Sequence, residues 1–212
     1  MHDVTRVLAV RHGETAWNVD TRLQGQIDIS LNSTGQEQAR RLAEALADES
    51  IDTIVASDLV RARDTAQAVA DRTGLGLALD AGLRERHFGI FQGHTYAEVE
   101  RRWPDESARW KKRDPAFGAP GGETLQGFYE RCVATATRLA AAHPGRTLLL
   151  VTHGGVLDCL YRAASRIALD APRTWELANT GINRLLYSPE GFTLVGWGDT
   201  QHLNDDAALD EL

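Results

Sequence analysis

The sequence predicts an α/β protein with three layers, α/β/α, around a mostly parallel central sheet, and an irregular helical lid insertion. Two observations carry this. Short apolar runs of strand length alternate with stretches of helical period along the chain. The run Thr147-Leu-Leu-Leu-Val-Thr152 is apolar throughout, as a strand covered on both faces should be.

The elements follow in order. Arg6-Val-Leu-Ala-Val10 is a first short strand, and a turn-rich stretch leads from it to Ser33. Thr34 and Glu37 have the spacing of a capping box. Ala39, Leu42, Ala43 and Leu46 then recur at helical spacing. Thr53-Ile-Val-Ala56 reads as a second strand, and residues 59–72 as a helix ended by Gly74. Residues 80–123 are irregular, with at least one helical piece near 96–103. Residues 124–142 form a long amphipathic helix stopped by Pro144-Gly145. The 147–152 strand follows, and Gly154-Gly155 opens another helix. Residues 182–187 and 192–197 pair around Ser188-Pro-Glu-Gly191.

The 212 residues suffice for one domain with a sizeable core, and no repeat or linker divides them. We read 1–212 as that domain, 87–123 as a lid insertion that sets specificity, and the acidic end, 204–212, as a flexible tail. Lys plus Arg is 23 and Asp plus Glu is 30, a net charge of −7, which argues against nucleic acid and anionic membranes as partners. No run approaches the ~18 apolar residues of a membrane span. The first apolar run begins at once, without a signal-like segment. Two lone cysteines, Cys132 and Cys159, suit small buried core positions in a reducing compartment. A cytoplasmic location is the default. The strand at 182–187 is a candidate edge for pairing in a homodimer.

In a parallel sheet of this kind ligands bind beyond the carboxyl ends of the strands. Past the first strand lie Arg11-His12-Gly13-Glu14-Thr15; past the second, Ser57-Asp58 with Arg61 one helical turn on; past the 147–152 strand, His153-Gly154-Gly155. Two histidines and two arginines would therefore meet at one sheet edge. In an acidic chain this concentrates cations, and the guanidinium fork matches phosphate oxygens. A helix starting at Gly154 adds free N–H groups for an anion.

These segments resemble the histidine phosphatase superfamily, the group that includes cofactor-dependent phosphoglycerate mutase. Arg11-His12-Gly13-Glu14-Thr15 is similar to its signature. Residues 57–66 resemble its second phosphate-binding segment, Leu83-Arg84-Glu85 the segment of its general acid, and Thr152-His153-Gly154-Gly155 its second histidine motif. All four occur in family order. The resemblance implies that His12 is a nucleophile that becomes phosphorylated. Arg11, Arg61 and His153, the last as an imidazolium, would hold the equatorial oxygens. Asn18 would add a hydrogen bond to phosphate, Gln24 would line the rim, and Gly154 would lie against the anion. Glu85 fits the acid that protonates the leaving group and later takes a proton from water. Glu14 and Asp58 also stand near strand ends and are rivals for that part.

No metal or other cofactor is implied. There is no HExxH pair, no cysteine cluster of zinc spacing and no P-loop, and Gly74-Leu-Gly76 lacks the third glycine of a dinucleotide fingerprint. His87, His94, His143 and His202 read as ordinary polar residues. The partner implied is a small phosphorylated metabolite. Within the family, a hydrolase admits water to the phosphoenzyme, whereas a mutase returns phosphate to the substrate. Glu85-Arg86-His87-Phe88-Gly89 looks mutase-like, and Trp110-Lys111-Lys112-Arg113 resembles the mutase segment that grips a second anionic group. Lys111 and Lys112 are thereby candidate substrate contacts, although lysine offers only a point charge there. Pro120-Gly-Gly-Glu-Thr124 resembles the phosphatase branch, and the chain is short for the glycolytic mutase. A phosphomonoester hydrolase is favoured over a phosphoglycerate mutase. A phospho-ligand-binding protein without chemistry is the third reading.

Overall fold

The computed structural model describes residues 4–204. Residues 205–212 of the acidic end, read above as a flexible tail, lie outside the described residues. The strands are β1 (Thr5–Arg11), β2 (Thr53–Ala56), β3 (Leu77–Leu79), β4 (Thr147–Thr152), β5 (Ile182–Ser188) and β6 (Gly191–Asp199). They form one sheet in the order β3-β2-β4-β1-β5-β6. The pairs β2/β3, β2/β4 and β1/β4 are parallel, and β5 runs antiparallel to both β1 and β6. The sheet is thus mixed, with a parallel majority.

Side-chain alternation sorts the core into two layers. Val7, Ala9, Leu148 and Leu150 pack against α6 (Leu125–Ala141) and α7 (Gly154–Ser165). Leu8, Val10, Leu149 and Val151 face the other way, toward α2 (Ser33–Ala45) and α3 (Val60–Thr73). Every residue of β4 is buried, which explains its unbroken apolar run. Each such leucine or valine is worth roughly 1.5–3 kcal/mol of transfer free energy. Cys132 on α6 and Cys159 on α7 are free thiols in the first layer. No helix among the described residues is long and apolar enough to cross a membrane.

Three local expectations change. The cap of α2 is Asn32, whose side chain accepts from Gly35 N at 2.8 Å, and not Thr34. Glu37 instead binds Arg40 and Arg41 on the helix surface. Strand β3 was unmarked in the sequence because it is three residues long, half exposed and preceded by Gly74 and Gly76. Residues 87–123 contain the helix marked near 96–103, α4 (Tyr96–Arg102), and a second that the sequence left unmarked, α5 (Pro104–Lys111). Pro104 starts α5, but only Ser107 is buried in it, so no apolar period announced it. This segment has its own small core of Phe91, Val99, Phe117 and Ala119 with Leu23, to which Trp103 and Trp110 add.

Candidate active site

The strand register builds the site. Arg11 pairs with Thr152, and His12 N donates to Thr152 O at 2.9 Å. The next residues of the two chains, His12 and His153, are therefore neighbours, with ring centroids 5.2 Å apart. Ser57 leaves β2 in the same layer, its N–H bonded to Val151 O at 3.0 Å. Its Oγ lies 2.8 Å from His153 Nε2. Both histidines are almost completely buried.

His12 is aimed by its own loop. Its Nδ1 is 2.7 Å from Gly13 O. A carbonyl only accepts, so Nδ1 carries the hydrogen and Nε2 keeps its lone pair. Gly13 N donates to Thr65 Oγ1 at 3.0 Å, which ties the loop to α3. Asn179 Nδ2 donates to His12 O at 2.8 Å. Gly13 is required here: a Cβ on it would lie 2.5 Å from Gly35 O.

Arginine heads are fixed around the rings by backbone carbonyls. Arg61, fully buried on the first turn of α3, donates to Gly25 O at 2.7 Å and Ile27 O at 2.9 Å. Arg11 donates to Leu177 O at 2.6 Å. Burial lowers both guanidinium pKa values, Arg61 to about 10. Burial first, then Arg61 and other nearby charges, hold both imidazoles well below their usual pKa. The same burial and cations disfavour a proton on His153 in the protein by itself. Arg11 Nε, Arg61 Nε and His153 Nδ1 are buried with no protein partner among the described residues. Leaving such groups unpaired costs about 1–3 kcal/mol each, so the cluster suits an anion with several acceptor oxygens.

Arg11, His12 and Arg61, but not the fully buried His153 beside His12, line one cavity of about 420 Å³. Asn18 reaches it from α1 (Ala16–Val19), whose capping box occupies its Oδ1 with Thr15. Its Nδ2 is left as a donor. Gln24 and Gly154 also line the cavity. Of the three rival acids, only Glu85 reaches it. Its oxygens accept from Arg86 N at 2.8 Å and Gly155 N at 2.9 Å. Asp58 is instead paired to Arg84 at 2.5 Å, which lowers its pKa. Glu14 accepts from Asn32 Nδ2 at 2.8 Å, away from the cavity.

Lys111 and Lys112 are not brought to the other site residues. Both are exposed and outside the cavity lining, and Lys111 pairs with Glu100 at 2.7 Å. The end of α5 turns with Arg113 in the left-handed region, φ 54°, and it is Arg113 and Trp110 that face inward. Sequence reasoning missed Trp17, Arg86, Asp158 and Arg173, which line the cavity from α1, from loops and from α7. It missed Arg131 as well, which grips Glu123 with two nitrogens at 2.8 Å and donates to Arg84 O and Glu85 O. None of these carries a local signal beyond being a charged or aromatic residue. His143 and His87 make only local backbone bonds.

A neutral histidine with a free nitrogen, caged by arginines at the strand ends of a three-layer sheet, defines a phosphoryl-handling α/β protein. The family model of the histidine phosphatase superfamily (branch 1) matches residues 7–200, and the chain belongs to that superfamily. It is 37% identical over 211 residues to phosphoglycerate mutase-like protein 4 of Arabidopsis thaliana, covering 98% of this chain and 90% of that protein. It is 40% identical over 175 residues to glucosyl-3-phosphoglycerate phosphatase of Mycolicibacterium vanbaalenii, covering 79% and 77%. A solved mycobacterial glucosyl-3-phosphoglycerate phosphatase in complex with VO3 has a TM-score of 0.82 at 32% identity, covering 92% of this chain and 99% of that one.

Proposed function

We propose that the protein is a metal-independent phosphomonoester hydrolase that acts on a small phosphorylated metabolite through a phosphohistidine on His12. The observation that carries this is the His12 tautomer: Nδ1–H is committed to Gly13 O, so Nε2 is free within the arginine cage. Nε2 attacks phosphorus, the P–O bond to the alcohol breaks, and Glu85 gives the leaving oxygen its proton. Water then attacks phospho-His12. Its proton passes to Glu85, the P–N bond breaks, and phosphate leaves. Arg11, Arg61, His153 and Asn18 hold the three equatorial oxygens as charge grows on them. Gln24 and Gly154 border the phosphate, and residues 87–123 act as the wall that selects the alcohol portion.

The mutase reading has support in the name of the Arabidopsis relative. The placement of Lys111 and Lys112 outside the cavity weighs against it, because two of the cations read for a second anion do not line the site, although Arg113 of the same segment does. The test is phosphate release across a phosphomonoester panel in EDTA, with wild type and His12→Ala. Release that disappears in His12→Ala supports the hydrolase. If no compound releases phosphate, while 3-phosphoglycerate is isomerised, the mutase replaces it.

A further inference from the structure

Six arginines line the cavity, and five have their heads engaged by the protein. Arg11 and Arg61 are bonded to carbonyls as above. Arg22 donates to Gly93 O and Glu98, and Arg86 to Phe117 O and Glu123 O. Arg113 donates to Leu169 O and to Asp158. Arg173 has no hydrogen bond or ion pair among the described residues. It is solvent-exposed on the segment between α7 and β5, yet it borders the cavity and lies within electrostatic reach of Arg11 and Tyr96.

The segment that carries Arg173 is anchored just C-terminal to it. Trp175 stacks on Tyr161 of α7 at 4.0 Å, and Arg162 lies 4.8 Å from its ring centre. Trp197 of β6 donates to Glu176 O at 2.9 Å. Leu177 O receives Arg11. An unpaired cation beside another arginine repels it, and no carboxylate among the described residues pairs with Arg173. Arg173 is exposed whereas His12 and Arg61, which line the same cavity, are buried, so it stands nearer the solvent end of that cavity. The cavity is far larger than one phosphate, so a leaving group with polar substituents has room.

We infer that Arg173 is a specificity residue that binds a second anionic group, a carboxylate or a second phosphate, on the alcohol portion of the substrate. The proposal rests on the hydrolase reading for the word "substrate", but the binding itself does not depend on turnover. A guanidinium takes either group with two parallel N–H···O bonds. Because Arg173 is exposed and makes no hydrogen bond or ion pair among the described residues, its replacement is expected to leave folding intact.

The test is calorimetric binding in the His12→Ala background, where no phosphoryl transfer interferes. The probes are 3-phosphoglycerate and sn-glycerol 3-phosphate, which share a skeleton and differ by a carboxylate in place of a hydroxymethyl group. The expected result is a preference of about tenfold or more for 3-phosphoglycerate. Arg173→Met should abolish that ratio and Arg173→Lys should retain part of it. Equal affinities in the parent, or a ratio unchanged by Arg173→Met, overturn the proposal. Failure of the wild type to release phosphate from either probe counts against the hydrolase reading alone, since the binding ratio is read without it.

Discussion

Gly155 gives the sharpest access to the acid that the proposed mechanism needs. It lies in the first turn of α7, and its N–H donates to Glu85 Oε2 at 2.9 Å. A Cβ there would meet Glu85 Oε1 at 2.1 Å, its Cδ at 3.0 Å and Phe128 Cε1 at 3.1 Å. The first distance is about 1 Å or more inside ordinary contact. Phe128 is buried in the core, so the carboxylate must be the group that moves. Gly155→Ala adds up to about 1 kcal/mol of helix propensity, so a loss of activity would not come from a weaker helix. A displacement of about 1 Å at a reacting group costs on the order of 10²-fold in rate. That loss should appear where the leaving group needs a proton. We therefore expect kcat for glycerol phosphate to fall about 100-fold, and kcat for p-nitrophenyl phosphate, whose phenolate departs unprotonated, to fall less than about tenfold. Glu85→Gln should show the same split. Equal losses on both substrates would refute the assignment of Glu85 as the acid, as would full activity of Gly155→Ala on the alkyl ester.

Three further outcomes follow from the same geometry. The two buried imidazoles resist protonation in the fold, whereas unfolded histidine takes a proton below about pH 6.5. Stability should thus be full above that pH and fall as pH drops, by up to about 1.4 kcal/mol per pH unit for each histidine; urea unfolding at pH 7 and 5.5 should show a smaller loss in His12→Gln. Ser57→Ala removes the partner of His153 Nε2, and a hydrogen bond of ~1–1.5 kcal/mol predicts about a tenfold fall in kcat/KM, whereas an unchanged value would show that Ser57 does not set the ring's tautomer. The double variant Lys111→Ala/Lys112→Ala should stay within about twofold of wild type in kcat/KM for 3-phosphoglycerate, since an exposed pair such as Lys111–Glu100 is worth ~1 kcal/mol or less; a tenfold rise in KM would return these lysines to the site.

What was legible in the sequence followed physical necessity. A strand buried on both faces must be apolar throughout, so β4 announced itself. The histidines and arginines were legible because they sit directly beyond strands, where chain position and spatial position coincide. The cavity wall was not. Arg113 enters through a left-handed residue after α5, and Arg173 through a loop fixed by Trp175 and Tyr161, contacts that no local period encodes. Lys111 and Lys112 misled because a motif fixes neighbours in sequence, while the turn at Arg113 decides which neighbour faces inward. The α2 cap shows the same limit on a smaller scale: Thr34 and Glu37 had the right spacing, but Asn32 stood where the helix begins.

The charge state of the site connects its stability to its chemistry. The arginines positioned to hold phosphate also depress both imidazoles, so the groups that favour anion binding are those that keep the nucleophile unprotonated. In the proposed reaction a bound phosphate dianion would offset the positive field of the arginines at both rings. At His12 the hydrogen on Nδ1 is held by Gly13 O, which leaves Nε2 for phosphorus in that scheme. At His153 the buried Nδ1 has no protein partner among the described residues, and the same dianion would favour a proton there. On this proposal the imidazolium expected from the sequence belongs to the phosphate-bound state. One cluster can serve both states because its cations are anchored to backbone carbonyls and not to carboxylates. Carboxylate partners for Arg11 and Arg61 would have cancelled the field that the mechanism uses.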